Sequence, residues 1–138
     1  MGLIIESNCK STISLIGGYG MLLTIREEVA KRFDKEFGEH YARLRYAIDD
    51  IEDFDKTTNE ILSHSRFKDE DADIIDFLFA SDCGGKINYK TCKKVVELIE
   101  DSDNKYCLRY AYYSKNDWED LKQLLWTCYK RRANLIWR

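Results

Sequence analysis

The sequence predicts an α+β fold in which about five helices surround a small sheet, with the N- and C-terminal strands adjacent. Three observations lead to this prediction. Apolar residues recur at three- and four-residue intervals over several stretches, which is the pattern of amphipathic helices. Both ends of the chain carry short runs of residues that favour strands. The 138 residues are 44% hydrophobic and contain no proline-rich or serine-rich linker, so residues 1–138 are expected to form a single domain.

The first third of the chain predicts two strands and a helix. Residues 2–6 and 12–16 have the composition of strands, and the Gly-Gly-Tyr-Gly sequence at 17–20 predicts a tight loop after the second. A helix follows this loop, and Gly38 is its predicted C-terminal stop. The apolar stripe of this helix consists of Leu22, Ile25, Val29 and Phe33.

Helical spacing continues through the middle of the chain. It runs from Tyr41 to an acidic segment at 49–55, and a short helix is predicted around Leu62. Another helix begins near Asp69, because acidic residues in a first turn interact favourably with the helix dipole. It ends at Gly84, and its predicted core face consists of Ala72, Ile75, Leu78 and Phe79.

The last third predicts two helices and a terminal strand. The first helix has Cys92, Val95, Val96 and Ile99 on one stripe. Residues 106–113 are rich in tyrosine and predict a strand, with an irregular stretch as the alternative. Asn116 and Glu119 form a capping pair for the final helix. The strand at 134–137 is expected to pair with 2–6, since this pairing would hold both termini in place. The apolar face of the final helix consists of Trp118, Leu121, Leu124, Leu125 and Cys128.

Charge is unevenly distributed along the chain. Residues 49–82 carry 12 acidic and 3 basic side chains, whereas residues 83–138 carry 12 basic and 7 acidic ones. The two regions either face each other or are solvated separately. Alternatively, the acidic segment imitates a phosphate backbone, or the basic end binds an anion. We expect no direct binding of duplex nucleic acid, because this usually requires a strongly basic surface.

Cysteine usage and hydropathy indicate a cytoplasmic protein. No two of the five cysteines have the spacing of a zinc or redox motif. No apolar run is long enough to cross a bilayer, and the N-terminus lacks the pattern of a secretory signal. We therefore expect reduced thiols without disulfides. Cys92 and Cys128 lie on predicted apolar faces, where buried cysteines act as small hydrophobes.

The glycine loop is the predicted ligand-binding site. Backbone N–H groups at a helix N-terminus attract anions, glycines allow close approach, and an aromatic ring at the loop would stack on a base. The alternative is a plain turn between strand and helix. The predicted ligand-binding residues are Gly18, Tyr19, Gly20, Arg26 and Arg109.

Other chemistry is not expected from the sequence. The loop at 81–88 resembles a calcium-binding hand, but only Asp82 and Asn88 fall at ligand positions and the required glutamate is missing. Cys83 has no histidine nearby in sequence to act as its base. We therefore predict no metal, no cofactor and no catalytic residues.

Several motifs resemble a group of small phage and prophage proteins. The chain opens Met1-Gly2-Leu3-Ile4-Ile5 and carries Ser81-Asp82-Cys83-Gly84-Gly85, with Cys92 nine residues after Cys83. The group typically begins Met-Gly-Leu-Asp-Ile-Ser and has a Ser-Asp-Cys-Asp-Gly loop. Ile4 and Gly84 replace two aspartates of that pattern, which argues against a catalytic carboxylate pair here.

The resemblance implies a phage-encoded protein acting in the cytoplasm of an infected host cell. The leading hypothesis is a non-enzymatic counter-defence protein. It would sequester a small anionic, nucleotide-like ligand at the glycine loop, or inhibit a host defence protein through the acidic segment 49–55. The alternatives are an enzyme acting on nucleotides, and a structural subunit that forms homo-oligomers through surface tryptophan and tyrosine residues.

Overall fold

A four-stranded antiparallel sheet holds both ends of the chain together. The computed structural model describes residues 2–9, 13–17, 19–45, 51–102 and 117–138. The strands β1 (Leu3–Ser7), β2 (Ser14–Gly17), β3 (Gly85–Ile87) and β4 (Leu135–Trp137) are arranged in the order β2-β1-β4-β3. Ile5 pairs with Trp137 and Ser7 with Leu135. The prediction that the terminal strands are neighbours is confirmed.

Alternating side chains give this sheet one buried face. On β1 the buried residues are Leu3, Ile5 and Ser7, and on β4 they are Leu135 and Trp137. Period-two burial is expected where only one face of a sheet packs against helices.

Six α-helices are described, one more than the predicted five. They are α1 (Tyr19–Phe33), α2 (Lys35–Ala42), α3 (Ile51–Leu62), α4 (Ala72–Phe79), α5 (Tyr89–Ile99) and α6 (Asp117–Arg131). Short 3₁₀ turns occur at Arg43–Arg45 and Asp69–Asp71. None of the described helices is both long and apolar enough to cross a membrane.

The additional helix arises because the predicted first helix is two helices. Asp34 is extended, with φ −157° and ψ 130°, and its carboxylate accepts the N–H of Phe37, so it ends α1 and caps α2. Gly38 is therefore not a helix stop but lies within α2. A Cβ at Gly38 would lie 2.7 Å from the nitrogen of Lys31, so its lack of a side chain allows α2 to pack closely against α1.

The predicted core face of α4 was correct at Leu78 and wrong at Ala72 and Phe79. The buried residues are Ile74, Phe77 and Leu78, whereas Ala72 is exposed and 42% of Phe79 is accessible. The sequence Ala-Asp-Ile-Ile-Asp-Phe-Leu-Phe is apolar on several sides, so helical period alone does not select one face. Strand β3 was also missed, since three residues are too few to show an alternating pattern.

The predicted faces of the last two helices are confirmed. All four stripe residues of α5 and all five of α6 are buried, including Cys92 and Cys128 at 0% exposure. Cys9, Cys83, Cys92 and Cys128 are free thiols. The predicted strand at 106–113 and the cap at Asn116 lie outside the described residues.

His40 attaches α3 to α2 through a buried polar contact. Its Nε2 lies 2.7 Å from the hydroxyl of Thr58, which itself donates to the carbonyl of Phe54, so the ring nitrogen acts as donor. The imidazole stacks on Phe54 with 4.1 Å between ring centroids. Burial lowers the pKa of His40 below its usual 6.5, and the charge of Arg43 lowers the pKa further.

This environment predicts a loss of stability at mildly acidic pH. Above pH 6.5 His40 is neutral in both states, whereas below pH 6.5 the unfolded chain binds a proton that the native chain resists. The free energy of unfolding should then fall by up to about 1.4 kcal/mol per pH unit until the native pKa is reached. Urea unfolding at pH 7.5 and 5.5 measures this loss. We expect His40→Gln to remove this loss of stability between pH 7.5 and 5.5. His64→Gln, at an exposed site, should leave the loss unchanged. An unchanged loss in His40→Gln would contradict the assignment.

Candidate functional site

The glycine loop joins β2 directly to α1. Gly17 ends β2, Tyr19 is the first residue of α1, and Gly20 is exposed in its first turn. A Cβ at Gly20 would have no atom within 4 Å. Gly18 and Arg109 lie outside the described residues.

Arg26 is buried against two aromatic rings, two turns beyond the glycine loop. Only 2% of the residue is accessible, and its guanidinium carbon lies 5.6 Å from the ring centroids of both Phe77 and Trp137. Nη1 donates a 2.6 Å hydrogen bond to Oδ1 of Asp82, in the loop between α4 and β3. Nε and Nη2 are buried with no hydrogen-bond partner. Arg26 thus connects α1 to α4, β4 and the Asp82 loop.

The surroundings of Arg26 are those of a packing residue. Trp137 Nε1 donates to the carbonyl of Ser81 at 2.9 Å, which fixes the loop against β4. A Cβ at Gly85 would lie 2.8 Å from Trp137 Cε2, so the glycine leaves room for the indole. Burial raises the pKa of Tyr41, and the nearby charge of Arg26 opposes this shift. The ligand-binding roles of Gly18, Tyr19, Gly20, Arg26 and Arg109 stay predictions.

The loop at 81–88 is organised by its own hydrogen bonds. The N–H of Cys83 donates to the hydroxyl of Ser81, and the side chain of Asn88 caps α5 by accepting the N–H of Thr91. Within the described part of the chain, no group of three or more His, Cys, Asp or Glu side chains is placed to hold a metal ion.

A cluster of partly exposed aromatic side chains lies on the outer side of α5 and α6. We call it the aromatic–lysine surface, and it consists of Tyr89, Lys90, Lys93, Trp126 and Tyr129. The rings of Tyr89 and Tyr129 are 28° from parallel, with centroids 6.4 Å apart. Trp126 meets Tyr129 edge-on at 6.0 Å. The three rings therefore form one continuous aromatic surface across two helices.

Lysine ammonium groups flank these rings. Lys93 Nζ lies 5.3 Å from the Tyr129 centroid, and Lys90 Nζ lies 5.9 Å from the Tyr89 centroid. Both distances are within the range of cation–π attraction. Lys93 also forms a 3.5 Å ion pair with Glu97, in which both side chains are about half exposed. Because exposed ion pairs contribute little stability, Lys93 can exchange Glu97 for another anion.

Helix geometry explains why these residues meet. Tyr89 begins α5 directly after its cap, and Lys93 lies four residues later on the same face. Trp126 and Tyr129 are three residues apart on α6. The indole Nε1 of Trp126 donates to Glu100 at the other end of α5, which fixes the orientation of the ring.

Sequence reasoning missed the aromatic–lysine surface, although a signal was present. The predicted apolar face of α6 left out two large aromatic residues, Trp126 and Tyr129. Such rings are a reason to look for a ligand or partner. Sequence alone did not show that Tyr89 and Lys93, from another helix, would lie beside them.

The chain matches no model of a known protein family, no curated protein and no solved structure.

Proposed function

We propose that this protein is a non-enzymatic binding protein whose aromatic–lysine surface holds a small anionic, nucleotide-like ligand. The observation that carries the proposal is the partly exposed ring of Tyr129, which contacts two other rings and has the ammonium of Lys93 5.3 Å from its centroid. An aromatic face accepts a nucleobase, and a neighbouring ammonium accepts a phosphate. The setting of the proposal, a phage protein acting against host defence, rests on the sequence resemblance alone.

Binding would require only side-chain movement. Lys93 lies over the ring face that an incoming base would cover. Its flexible stem allows the ammonium to leave the ring and meet the phosphate, while Glu97 returns to solvent. The rings of Tyr89 and Trp126 would stay in place and support Tyr129, so little ordering of the surface would oppose binding.

Tyr129→Ala should weaken nucleotide binding by about tenfold or more, since stacking on an aromatic side chain contributes about 1–3 kcal/mol per base. Isothermal titration with the four deoxynucleoside monophosphates measures this change. Tyr129→Phe keeps the ring and should bind within about twofold of the unsubstituted protein. Equal affinities for Tyr129→Ala and the unsubstituted protein would overturn the proposed site.

The same titrations separate the alternative functions. An enzyme acting on nucleotides would convert the ligand, so product in the recovered solution would replace the binding proposal with a catalytic one.

Inhibition of a host protein through the acidic segment concerns a different part of the molecule. There α3 presents Glu52, Asp53 and Asp55 to solvent, and residues 49 and 50 lie outside the described chain. An acidic helix face alone does not identify a partner.

A further inference from the structure

Exposed cations lie beside the aromatic–lysine surface, at the start of α5 and the end of α6. Helices α5 and α6 run antiparallel, because Tyr89 near the start of α5 meets Tyr129 near the end of α6. Five exposed basic residues lie at this end of the helix pair, which we call the basic end: Lys90 and Lys93 on α5, Lys130 and Arg131 in the last turn of α6, and Arg132 directly after it.

The opposite end of the helix pair has a different charge. There Glu100 accepts the indole N–H of Trp126, Glu119 pairs with Lys122 at 3.2 Å, and Lys122 also donates to the carbonyl of Glu100. Beside the aromatic rings, Glu97 forms an ion pair with Lys93. Positive charge is thus concentrated beside Tyr89 and Tyr129, whereas Trp126 contacts Glu100.

We infer that the ligand of the aromatic–lysine surface is a single-stranded nucleic acid, an inference that rests on the proposed function. One mononucleotide offers a single phosphate group, whereas the cations of the basic end are distributed over two helices. A strand offers a phosphate at every nucleotide and unpaired bases that stack on aromatic side chains. A duplex would engage the cations but not the rings, since its bases are already stacked and paired.

Fluorescence anisotropy with labelled oligo(dT) of about 12 nucleotides tests this inference, with thymidine monophosphate as competitor. We expect the oligonucleotide to bind at least about 100-fold more tightly than the monophosphate. The logarithm of its association constant should fall with the logarithm of salt concentration with a slope of about −2 to −3.5. Lys90→Ala should reduce the magnitude of this slope by about 0.7. Lys35→Ala, at an exposed position on α2, serves as the matched control and should leave the slope unchanged.

The outcomes separate this inference from the proposed function. If thymidine monophosphate binds through Tyr129 but oligo(dT) binds no more tightly, the proposed function stands and the single-strand inference is wrong. If neither binds, both are wrong. A duplex of equal length that binds as tightly as the single strand would also overturn the inference, because stacking would then play no part. Parallel titration with oligo(U) shows whether the strand is DNA or RNA.

Discussion

Arg26→Ala is expected to lower the free energy of unfolding by about 2–4 kcal/mol. The substitution removes a guanidinium packed against Phe77 and Trp137 and leaves a cavity where α1, α4 and β4 meet. Loss of the ion pair itself contributes little, because Asp82 is 64% exposed and its charge is solvated without Arg26. Most of the effect should therefore come from packing, and urea unfolding measures it.

Two variants identify the source of this loss. Arg32→Ala removes an arginine of the same helix that is 38% exposed and pairs with Glu28, and it should change the free energy of unfolding by less than about 0.5 kcal/mol. Arg26→Met keeps much of the volume without the charge and should lose less stability than Arg26→Ala. Equal effects of Arg26→Ala and Arg32→Ala would contradict the packing role.

The same variant separates the two candidate ligand sites. If Arg26 binds the ligand at the glycine loop, Arg26→Ala weakens binding and leaves the melting temperature nearly unchanged. If Arg26 is a packing residue, the melting temperature falls, and nucleotide affinity of the folded fraction stays within about twofold of the unsubstituted protein.

Gly38→Ala is expected to destabilise the protein by about 2 kcal/mol or more. The new Cβ would lie 2.7 Å from Lys31 N and 2.9 Å from the carbonyl carbon of Ala30, and both are backbone atoms that no rotamer change can move. Helices α1 and α2 would have to separate. This cost outweighs the gain of about 1 kcal/mol that alanine normally brings to a helix interior.

Gly20→Ala is the matched control for Gly38→Ala. A Cβ at Gly20 meets no atom within 4 Å, so the substitution should be neutral or raise the free energy of unfolding by about 0.5–1 kcal/mol. Chemical denaturation of both variants gives the comparison. If Gly38→Ala were as stable as Gly20→Ala, the close approach of α1 and α2 would be wrong.

The elements that could be predicted from sequence are those in which the apolar residues recur with one clear period. Helices α5 and α6 each bury one regular stripe of apolar residues, and the two terminal strands are short runs rich in strand-forming residues. The boundary between α1 and α2 was missed because apolar spacing continues across Asp34, and glycine was interpreted as a stop rather than as a contact. At Gly38 the deciding factor is a neighbouring helix, which local sequence does not report.

The candidate site was harder to predict because it is assembled from separate elements. Arg26 was assigned to the glycine loop by its nearness in sequence, yet its partner Asp82 lies 56 residues away. The aromatic–lysine surface joins residues near 90 with residues near 129 through the antiparallel packing of α5 and α6. Residues 83–138, which contain this surface, carry 12 basic and 7 acidic side chains.

Nuclear magnetic resonance titration of the ¹⁵N-labelled protein with thymidine monophosphate tests the location of the site most directly. If the aromatic–lysine surface binds the nucleotide, the amide signals that shift should be those of residues 89–93 and 126–132, and Tyr129→Ala should reduce these shifts at equal, subsaturating ligand concentration. Shifts confined to residues 17–26 would instead place the ligand at the glycine loop and contradict the proposal.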